Sequence, residues 1–190
     1  MKKKIHKHVI LAGTPRAGKT TVCLKLLKYG FVHYKMDSIK RGICEIFHFN
    51  QHNWNEISPM MARLIQVILK ENKTDTVAFR EYYVIDSCHL LPKDLSLIEE
   101  DVLVVYLGYA DVDCSIKLKE MRKHDKEYFW SHQLSDEELI QMIDANIKLS
   151  QYYREECQKY HFIYFDTSFH RDEVLQEVVQ FIIDHCKESN

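Results

Sequence analysis

The 190-residue sequence predicts an α/β fold in which helices cover both faces of one parallel β-sheet. Two observations indicate this class. Segments with strand patterns and segments with helix patterns alternate along the whole chain, which is typical of parallel sheets. The apolar run at residues 102–107 is unbroken, as expected for a strand that is covered on both faces. We therefore expect five strands that run in the same direction and are separated by helices.

The strands are predicted from short runs of β-branched, aromatic and other apolar residues. Three of the runs are followed by Asp and then Ser or Thr, at Asp37, Asp86 and Asp166. Ligands of open parallel sheets bind beyond the carboxyl ends of the strands, so these aspartates are candidate site residues. The predicted strands cover residues 6–12, 31–36, 82–85, 102–107 and 161–165.

The helices are predicted from apolar residues at helical spacing and from signals at the helix ends. Gly30 ends the first helix, and Ser135 with Glu138 forms a capping box for the fifth. Pro59 is expected in or near the first turn of the long third helix, where a missing N–H is tolerated. The predicted helices cover residues 19–28, 38–47, 54–71, 113–123, 135–160 and 171–185.

The composition, 46% hydrophobic and 28% charged residues, suits one globular domain over residues 1–190. A formal net charge of -2 does not indicate a nucleic-acid partner. No run approaches the roughly 18 apolar residues of a membrane span, so no membrane association is expected. The apolar run at residues 9–12 is too short for a signal peptide. Oligomeric state is not encoded in any feature of the sequence.

The six cysteines show no C-x-x-C spacing, which indicates reduced thiols and a cytoplasmic location. Cys44, His48 and His52 could share one face of a helix, but the sequence offers no matching second set of ligands to complete a metal site. A zinc site at those three residues is therefore not predicted.

The most specific motif is G-x-x-x-x-G-K-[ST], which lies between the first predicted strand and the first predicted helix. Gly13 and Gly18 let the backbone approach a phosphate chain, so that amide groups and the helix N-terminus face the anion. Lys19 adds a positive charge at the β and γ phosphates, and the Thr20 hydroxyl is placed to ligate Mg²⁺. The flanking strand and helix disfavour an incidental glycine turn. The predicted nucleotide-binding residues are Gly13, Thr14, Pro15, Arg16, Ala17, Gly18, Lys19, Thr20 and Thr21.

The three aspartates at strand ends have different predicted roles. Asp86 follows an aromatic and β-branched run and has the character of a Walker B carboxylate that holds Mg²⁺; a helix N-cap is the alternative. Asp37 would point into the cleft opposite the γ phosphate, where it could accept the proton of an acceptor hydroxyl or orient the acceptor. Capping of the following helix is the alternative for Asp37, and capping is the favoured interpretation of Asp166.

A cationic and aromatic segment separates the fourth and fifth predicted helices. It contains Arg122, Lys123 and Lys126, followed by Tyr128-Phe129-Trp130. Mobile cationic segments neutralise transition-state charge and exclude water in phosphoryl transfer. We expect a lid at about residues 122–134, with Arg122 acting on the transition state. The alternative is a solvated helix end with a hydrophobic anchor.

This order of motifs resembles the nucleoside monophosphate kinase and shikimate kinase-like group of P-loop kinases. The resemblance spans nearly the whole chain, although only the phosphate loop is a specific motif. It implies a five-stranded parallel sheet in the order 2-3-1-4-5, an acceptor-binding helical segment at about residues 38–72 and a lid near residues 122–134. It also implies that the phosphate loop binds ATP and that Asp37 and Arg41 face the acceptor.

Two departures from that group bear on the acceptor. Nucleoside monophosphate kinases carry D-G-x-P-R after the third strand, whereas residues 86–92 read D-S-C-H-L-L-P. Their double-arginine lid is also missing, since the next arginine after Arg122 is Arg154. The D-S-C-H-x-x-P run is closer to the E-G-x-H-x-x-P of uridine kinase-like and 2-phosphoglycerate kinase-like proteins. We therefore expect His89 to face the acceptor, and a nucleoside or a small hydroxylated metabolite to be favoured over a nucleoside monophosphate.

The sequence thus predicts an ATP- and Mg²⁺-dependent kinase that phosphorylates a hydroxyl or phosphate of a small molecule, which could be a nucleoside, a nucleotide or another metabolite. Lys19, Asp37 and Arg122 are the predicted catalytic residues, and Thr20 and Asp86 the predicted metal ligands. The alternative is a nucleotide-binding module that uses ATP or GTP to switch a protein partner.

Overall fold

A computed structural model gives the structure of the chain, and it describes residues 6–50, 53–74, 81–123, 125 and 130–186. Strands and helices alternate within these ranges, as the sequence predicts. The strands are β1 (His8–Gly13), β2 (Phe31–Lys35), β3 (Tyr82–Asp86), β4 (Val102–Gly108) and β5 (Ile163–Asp166). The seven α-helices of the described ranges are α1 (Lys19–Leu26), α2 (Met36–Phe47), α3 (Trp54–Thr74), α4 (Pro92–Leu95), α5 (Cys114–Lys123), α6 (Asp136–Lys159) and α7 (Arg171–Cys186).

All five strands are parallel and form one sheet in the order β2-β3-β1-β4-β5. The predicted fold class and strand order are therefore confirmed. The register aligns Leu11 of β1 with Asp86 of β3, and Asp86 with Lys35 of β2. Gly13 is aligned with Leu107 of β4. Because the strands are parallel, their carboxyl ends meet at one edge, and this edge carries the phosphate loop and Asp86.

The central strand β1 is buried along its whole length, because helices cover both faces of the sheet. Val9 and Leu11 lie in one core with residues of α1 and α7. Ile10 and Ala12 lie in a second core with residues of α2, α3 and α6. This alternation follows the two-residue period of a strand. Because helices cover both faces, the carboxyl edge of the sheet is where ligands can bind.

Several element boundaries differ from the sequence-based expectations, and the structure adds one short helix. β2 ends at Lys35 and α2 begins at Met36, so Asp37 lies in the first turn of α2 and not at the end of a strand. The first helix ends at Leu26 and continues as one 3-10 turn before Gly30, whose φ of 97° only glycine adopts readily. The short helix α4 was not predicted; Pro92 occupies its first turn, where proline is tolerated.

The segment between α5 and α6 is described only in part. Asp125 and a 3-10 helix at Trp130–Gln133 are described, whereas residues 124 and 126–129 of the predicted lid lie outside the described residues. α6 begins with the predicted capping box: the Ser135 hydroxyl accepts the Glu138 N–H, and the Glu138 carboxylate accepts the Ser135 N–H. A small core of Met121, Leu139 and Ile143 packs α5 against α6.

All six cysteines are unpaired thiols. In the ranges that the structure covers, none of the helices has both the length and the apolar composition needed to cross a bilayer.

Candidate active site

The phosphate loop connects β1 to α1 at the carboxyl edge of the sheet. Gly13 has a φ of 117°, and a Cβ built on it would lie 2.0 Å from the Leu107 carbonyl oxygen, so only glycine fits. Gly18 has a φ of 107° and occupies the N-cap position of α1, where no side chain accepts a hydrogen bond from the first turn. The first turn of α1 contains no acidic residue. The amide groups in the first turn of α1 and the positive end of its helix dipole are therefore available to an anion.

The Lys19 side chain lies across this loop. Its Nζ donates hydrogen bonds to the carbonyl oxygens of Gly13, at 3.0 Å, and Thr14, at 2.8 Å. Lys19 is only 7% exposed, so its ammonium is held mainly by the loop and not by water. The Thr14 hydroxyl is hydrogen-bonded to the Ser150 hydroxyl of α6 at 2.7 Å. The loop is thus held from inside by its own lysine and from one side by α6.

Thr20 and Asp86 form a pair of oxygen ligands beside the loop. The Thr20 hydroxyl donates a hydrogen bond of 2.7 Å to Asp86 Oδ2, and Asp86 is 5% exposed. Oxygen ligands of this kind suit Mg²⁺, which binds proteins through one or two carboxylates and keeps several waters. A helix N-cap role for Asp86 is excluded by the geometry, because the next helix, α4, has Leu91 as its N-cap.

His33 is a neighbour of Asp86 that sequence reasoning missed. Its Nε2 lies 3.5 Å from Asp86 Oδ2. His33 stands two residues before Lys35 on β2, and Lys35 is aligned with Asp86. The contact depends on strand order, because β2 and β3 are separated by two helices along the chain.

Asp37 stands in a second group of polar side chains, at the start of α2 and the end of β3. Asp37 Oδ1 lies 3.9 Å from Cys88 Sγ and 3.9 Å from His89 Nδ1, and Cys88 Sγ lies 3.2 Å from His89 Nδ1. The N-cap of α2 is Lys35 and no side chain caps this helix, so the capping interpretation of Asp37 is wrong. The Asp37 side chain is 46% exposed and therefore accessible to a ligand.

Burial raises the pKa of the Cys88 thiol to about 11, and the positive charge of Lys19 acts in the opposite direction. Cys88 is therefore a neutral thiol at physiological pH. Cys88 follows Asp86 of β3 by two residues, so the Asp37 group lies beside the Thr20–Asp86 pair at the same edge of the sheet. The two groups thus share one site.

Lys40 and Trp54 enclose His89, and sequence reasoning missed both. Lys40 Nζ lies 3.2 Å from His89 Nε2, and the rings of Trp54 and His89 are 5.1 Å apart. Lys40 is 9% exposed, whereas Arg41, which was expected to face the acceptor, is exposed. The spacing of Met36, Lys40 and Cys44, the buried residues of α2, could have indicated that Lys40 lies on the inner face.

Two arginines, Arg16 and Arg122, form hydrogen bonds with the segment that is predicted to be a lid. Arg16 Nη2 donates to Asp125 Oδ1 at 3.0 Å and to the Ser131 hydroxyl. Arg122 donates to Asp136 Oδ1 at 2.7 Å and to the Leu134 carbonyl oxygen at 2.7 Å. In this conformation Arg122 holds the segment before α6, and the arginine that joins the loop to this segment is Arg16.

A buried lysine supports the outer side of the phosphate loop. Lys117 is fully buried; its Nζ lies 4.3 Å from the centre of the Tyr109 ring, donates to Glu120 at 3.0 Å and to the Arg16 carbonyl oxygen at 3.4 Å. Burial lowers the pKa of Lys117, and the Glu120 carboxylate opposes this shift. The Tyr109 hydroxyl donates to the Pro15 carbonyl oxygen at 3.0 Å. The sequence motif gives no indication of these supports.

A cavity of about 390 Å³ lies beside this network, between α5 and the start of α7. Arg171, in its wall, forms an ion pair with Glu120, with Nε 3.2 Å from Oε1, and its Nη2 lies 3.3 Å from the position of a Cβ on Gly18. The cavity therefore adjoins the outer side of the phosphate loop. Its wall includes Ile116, Glu120, Ser168, His170 and Arg171.

Helix capping was favoured for Asp166 from the sequence, but Asp166 ends β5 and α7 begins five residues later at Arg171, so it does not cap that helix. Its carboxylate accepts the N–H groups of Ser168, at 2.8 Å, and Ala110, at 3.1 Å. These bonds fix the turn after β5, which forms one wall of the cavity beside the loop.

Comparison with known proteins identifies the fold but not the activity. No protein-family model matches the sequence, and no curated protein matches it either. The structure is similar to shikimate kinase from Bacteroides thetaiotaomicron, with a TM-score of 0.54 and 16% identity over 94% of this chain and 97% of that one. It is also similar to TT1252 from Thermus thermophilus, with a TM-score of 0.54 and 12% identity over 96% and 100% of the two chains. An uncharacterized protein from Eubacterium ventriosum gives a TM-score of 0.51 and 11% identity over 93% and 98%. The chain therefore has the P-loop kinase-like α/β fold.

Proposed function

We propose that this protein is an ATP- and Mg²⁺-dependent kinase that transfers the γ-phosphoryl group to a hydroxyl or phosphate of a small molecule. The observation that carries the proposal is the position of Asp37. This partly exposed carboxylate is not a helix cap, and it lies at the edge of the sheet that also holds Lys19 and the Thr20–Asp86 pair. A phosphate site and a carboxylate at the same edge of the sheet suit the transfer of a phosphoryl group to an acceptor.

The phosphate side of the site is proposed to bind ATP. The amides of the loop from Gly13 to Thr21 and the Lys19 ammonium would hold the β and γ phosphates. The Thr20 hydroxyl and the Asp86 carboxylate fit Mg²⁺ as oxygen ligands, and Mg²⁺ neutralises charge that develops on the phosphate oxygens. The cavity beside the loop is the proposed position of the nucleobase, because it adjoins the loop and falls within the usual size of ligand pockets.

The acceptor side is proposed to be built around Asp37. Its carboxylate would accept the proton of an acceptor hydroxyl or orient the acceptor. His89 and Arg41 are proposed to contact the acceptor, within a segment at about residues 38–72. The similar structure from Bacteroides thetaiotaomicron is a shikimate kinase, which supports a small-molecule acceptor here. A nucleoside or a small hydroxylated metabolite is favoured, because residues 86–92 lack D-G-x-P-R.

The segment at about residues 122–134 is proposed to act as a lid within one domain of residues 1–190. For Arg122 to act on the transition state, it would exchange its contacts with Asp136 and Leu134 for the transferring phosphoryl group. Arg16, which already joins the phosphate loop to Asp125, would couple that exchange to nucleotide binding. The unpaired cysteines fit the proposed cytoplasmic location.

The test is ADP release from MgATP in the presence of nucleosides, sugars and phosphorylated metabolites, supplied one at a time. A kinase releases ADP in proportion to one added acceptor and yields that acceptor phosphorylated, detectable by mass spectrometry. A nucleotide switch, the alternative function, hydrolyses or holds ATP at a rate that no small hydroxyl compound changes. Acceptor-independent release throughout the panel would favour the switch.

A further inference from the structure

The group around Asp37 combines three different metal-ligand types. Cys88 offers a sulfur, His89 an imidazole nitrogen and Asp37 a carboxylate oxygen, and these three atoms lie within 4.8 Å of one another. We propose that Asp37, Cys88 and His89 form a binding site for a thiophilic divalent cation such as Zn²⁺. When occupied, the site blocks the acceptor side of the protein.

The spacing of the three atoms fits such an ion. The triangle of Cys88 Sγ, His89 Nδ1 and Asp37 Oδ1 has edges of 3.2, 3.9 and 3.9 Å. The point equidistant from the three corners lies about 2.1 Å from each, close to the roughly 2.0–2.3 Å that zinc takes to nitrogen, oxygen and sulfur. An ion slightly out of the plane of the triangle would therefore contact all three atoms. Its fourth position would face away from the protein ligands, as in open tetrahedral sites.

The ligand types select the metal. Thiolate and imidazole ligands favour zinc and related metals, whereas Mg²⁺ takes oxygen ligands. The Thr20–Asp86 pair supplies only oxygen, so the two sites differ in preference although they share one edge of the sheet. Mg²⁺ at physiological concentration would consequently not occupy the Cys88 site.

Lys40 limits the affinity of the proposed site. An ammonium donates, so Lys40 Nζ, 3.2 Å from His89 Nε2, makes Nε2 an acceptor and places the hydrogen of a neutral imidazole on Nδ1. Binding of the cation at Nδ1 moves that hydrogen to Nε2 through solvent and ends the hydrogen bond from Lys40. The Cys88 thiol releases its proton to solvent at the same time. Removal of the Lys40 charge should therefore tighten binding.

The consequence for activity rests on the proposed function. A cation bound to Asp37 occupies the carboxylate that an acceptor hydroxyl needs. Zinc should therefore raise the acceptor concentration required for half-maximal ADP release at constant excess MgATP, and a chelator should reverse the effect.

The binding test uses the full-length chain and needs no activity. Zn²⁺ affinity is measured by competition with a chromogenic chelator, and Co²⁺ serves as a spectroscopic probe because a thiolate ligand gives a charge-transfer band. We expect one ion per chain, with the charge-transfer band in the wild type. Cys88→Ser and His89→Gln should each weaken zinc binding by more than about tenfold, since even an outer-shell partner contributes roughly 10–100-fold. Lys40→Met should tighten it.

The matched control is His33→Gln. The described residues contain a second group of three potential ligands, Cys23, His33 and Asp86, so zinc could bind there instead. The proposal predicts unchanged zinc affinity in His33→Gln. It is overturned if affinity is lost in this control, or if it survives in both Cys88→Ser and His89→Gln variants that unfold cooperatively. Zinc that binds as expected but leaves acceptor-dependent ADP release unchanged overturns the blocking role alone. A protein that shows no acceptor-dependent release contradicts the proposed kinase, and the Co²⁺ spectrum still tests the site.

Discussion

Asp37 is the residue whose role distinguishes a kinase from a nucleotide switch. A switch needs the phosphate loop and a metal-side acid, whereas only a kinase needs a carboxylate aimed at an acceptor. In the structure, the Asp37 carboxylate lies 3.9 Å from both Cys88 and His89 and makes no capping hydrogen bond to α2. Loss of its charge should therefore affect the site more than the helix, where a carboxylate in the first turn contributes about 0.3–1 kcal/mol through the helix dipole.

We predict that Asp37→Asn lowers acceptor-dependent turnover by roughly 10²–10⁴-fold with little change in ATP affinity, as expected when a general base is lost. Steady-state kinetics of ADP release with the identified acceptor provide the measurement. Asp184→Asn, at an exposed position of α7, is the matched control and should behave as wild type. A small loss of turnover combined with weaker acceptor binding would restrict Asp37 to orienting the acceptor. Wild-type kinetics in the variant would show that Asp37 has no catalytic role.

A second prediction concerns Lys19, which holds the Gly13 and Thr14 carbonyl oxygens in the structure. Lys19→Ala should weaken ATP binding by about 10–100-fold, the equivalent of one charged hydrogen bond, and should abolish turnover. Calorimetric titration with MgATP measures the affinity. Lys119→Ala, on the exposed side of α5, removes a lysine away from the loop and should leave both quantities unchanged. Unaltered ATP binding in Lys19→Ala would show that the loop is not a nucleotide site.

At the scale of elements, the approach of β1 to β4 at Gly13 can be tested directly. A Cβ on Gly13 would lie 2.0 Å from the Leu107 carbonyl oxygen, and the φ of 117° disfavours any other residue. Gly13→Ala should therefore reduce the free energy of unfolding by at least about 3 kcal/mol. Chemical denaturation provides the measurement.

Gly42→Ala is the matched control, because no atom lies within 4 Å of a Cβ built on Gly42 and the residue lies inside α2. Alanine is preferred over glycine in a helix, so this change should increase the free energy of unfolding by about 0.5–1 kcal/mol. Equal effects of the two substitutions would mean that the close contact at Gly13 relaxes without cost.

The segment before α6 carries a further prediction at this scale. Arg16 and Arg122 connect it to the phosphate loop and to α5. If it acts as a lid, amide hydrogen exchange over residues 122–134 should slow when MgATP and acceptor are added together, and less with either alone. Exchange in the last two turns of α7, which do not line the cavity beside the loop, serves as the internal reference. Identical exchange rates in the free and doubly bound protein would count against a lid and against the catalytic role of Arg122.

For the whole molecule, ligand binding should be coupled to global stability. A ligand present at about 100 times its Kd stabilises the folded state by about 2.7 kcal/mol. For a chain of this size, that corresponds to a rise in Tm of roughly 5–11 °C. We predict this rise for the wild type with MgATP and about half of it or less for Lys19→Ala at the same MgATP concentration, measured by scanning calorimetry, because the affinity of the variant is expected to be about 10–100-fold lower. A similar rise in Tm in both proteins would mean that ATP binds at a different site.

The sequence by itself determined the features that depend on local pattern. The alternating strand and helix periods predicted the parallel sheet, and the motif from Gly13 to Thr20 predicted the phosphate loop between β1 and α1. Both succeed because the hydrophobic period and the glycine spacing reflect backbone geometry over a few residues. The capping box of α6 was predicted for the same reason.

Only the tertiary structure decided which distant side chains meet at the carboxyl edge. His33 reaches Asp86, Lys40 reaches His89, and Arg16 reaches Asp125, although the members of each pair are far apart in sequence. The boundary at Met36, which moved Asp37 from a strand end into α2, was also decided there. The physical reason is that strand order and helix packing bring these groups together, whereas sequence periodicity carries information about neighbours along the chain. The phosphate loop therefore follows from the sequence motif, whereas the group of side chains around Asp37 follows from the fold.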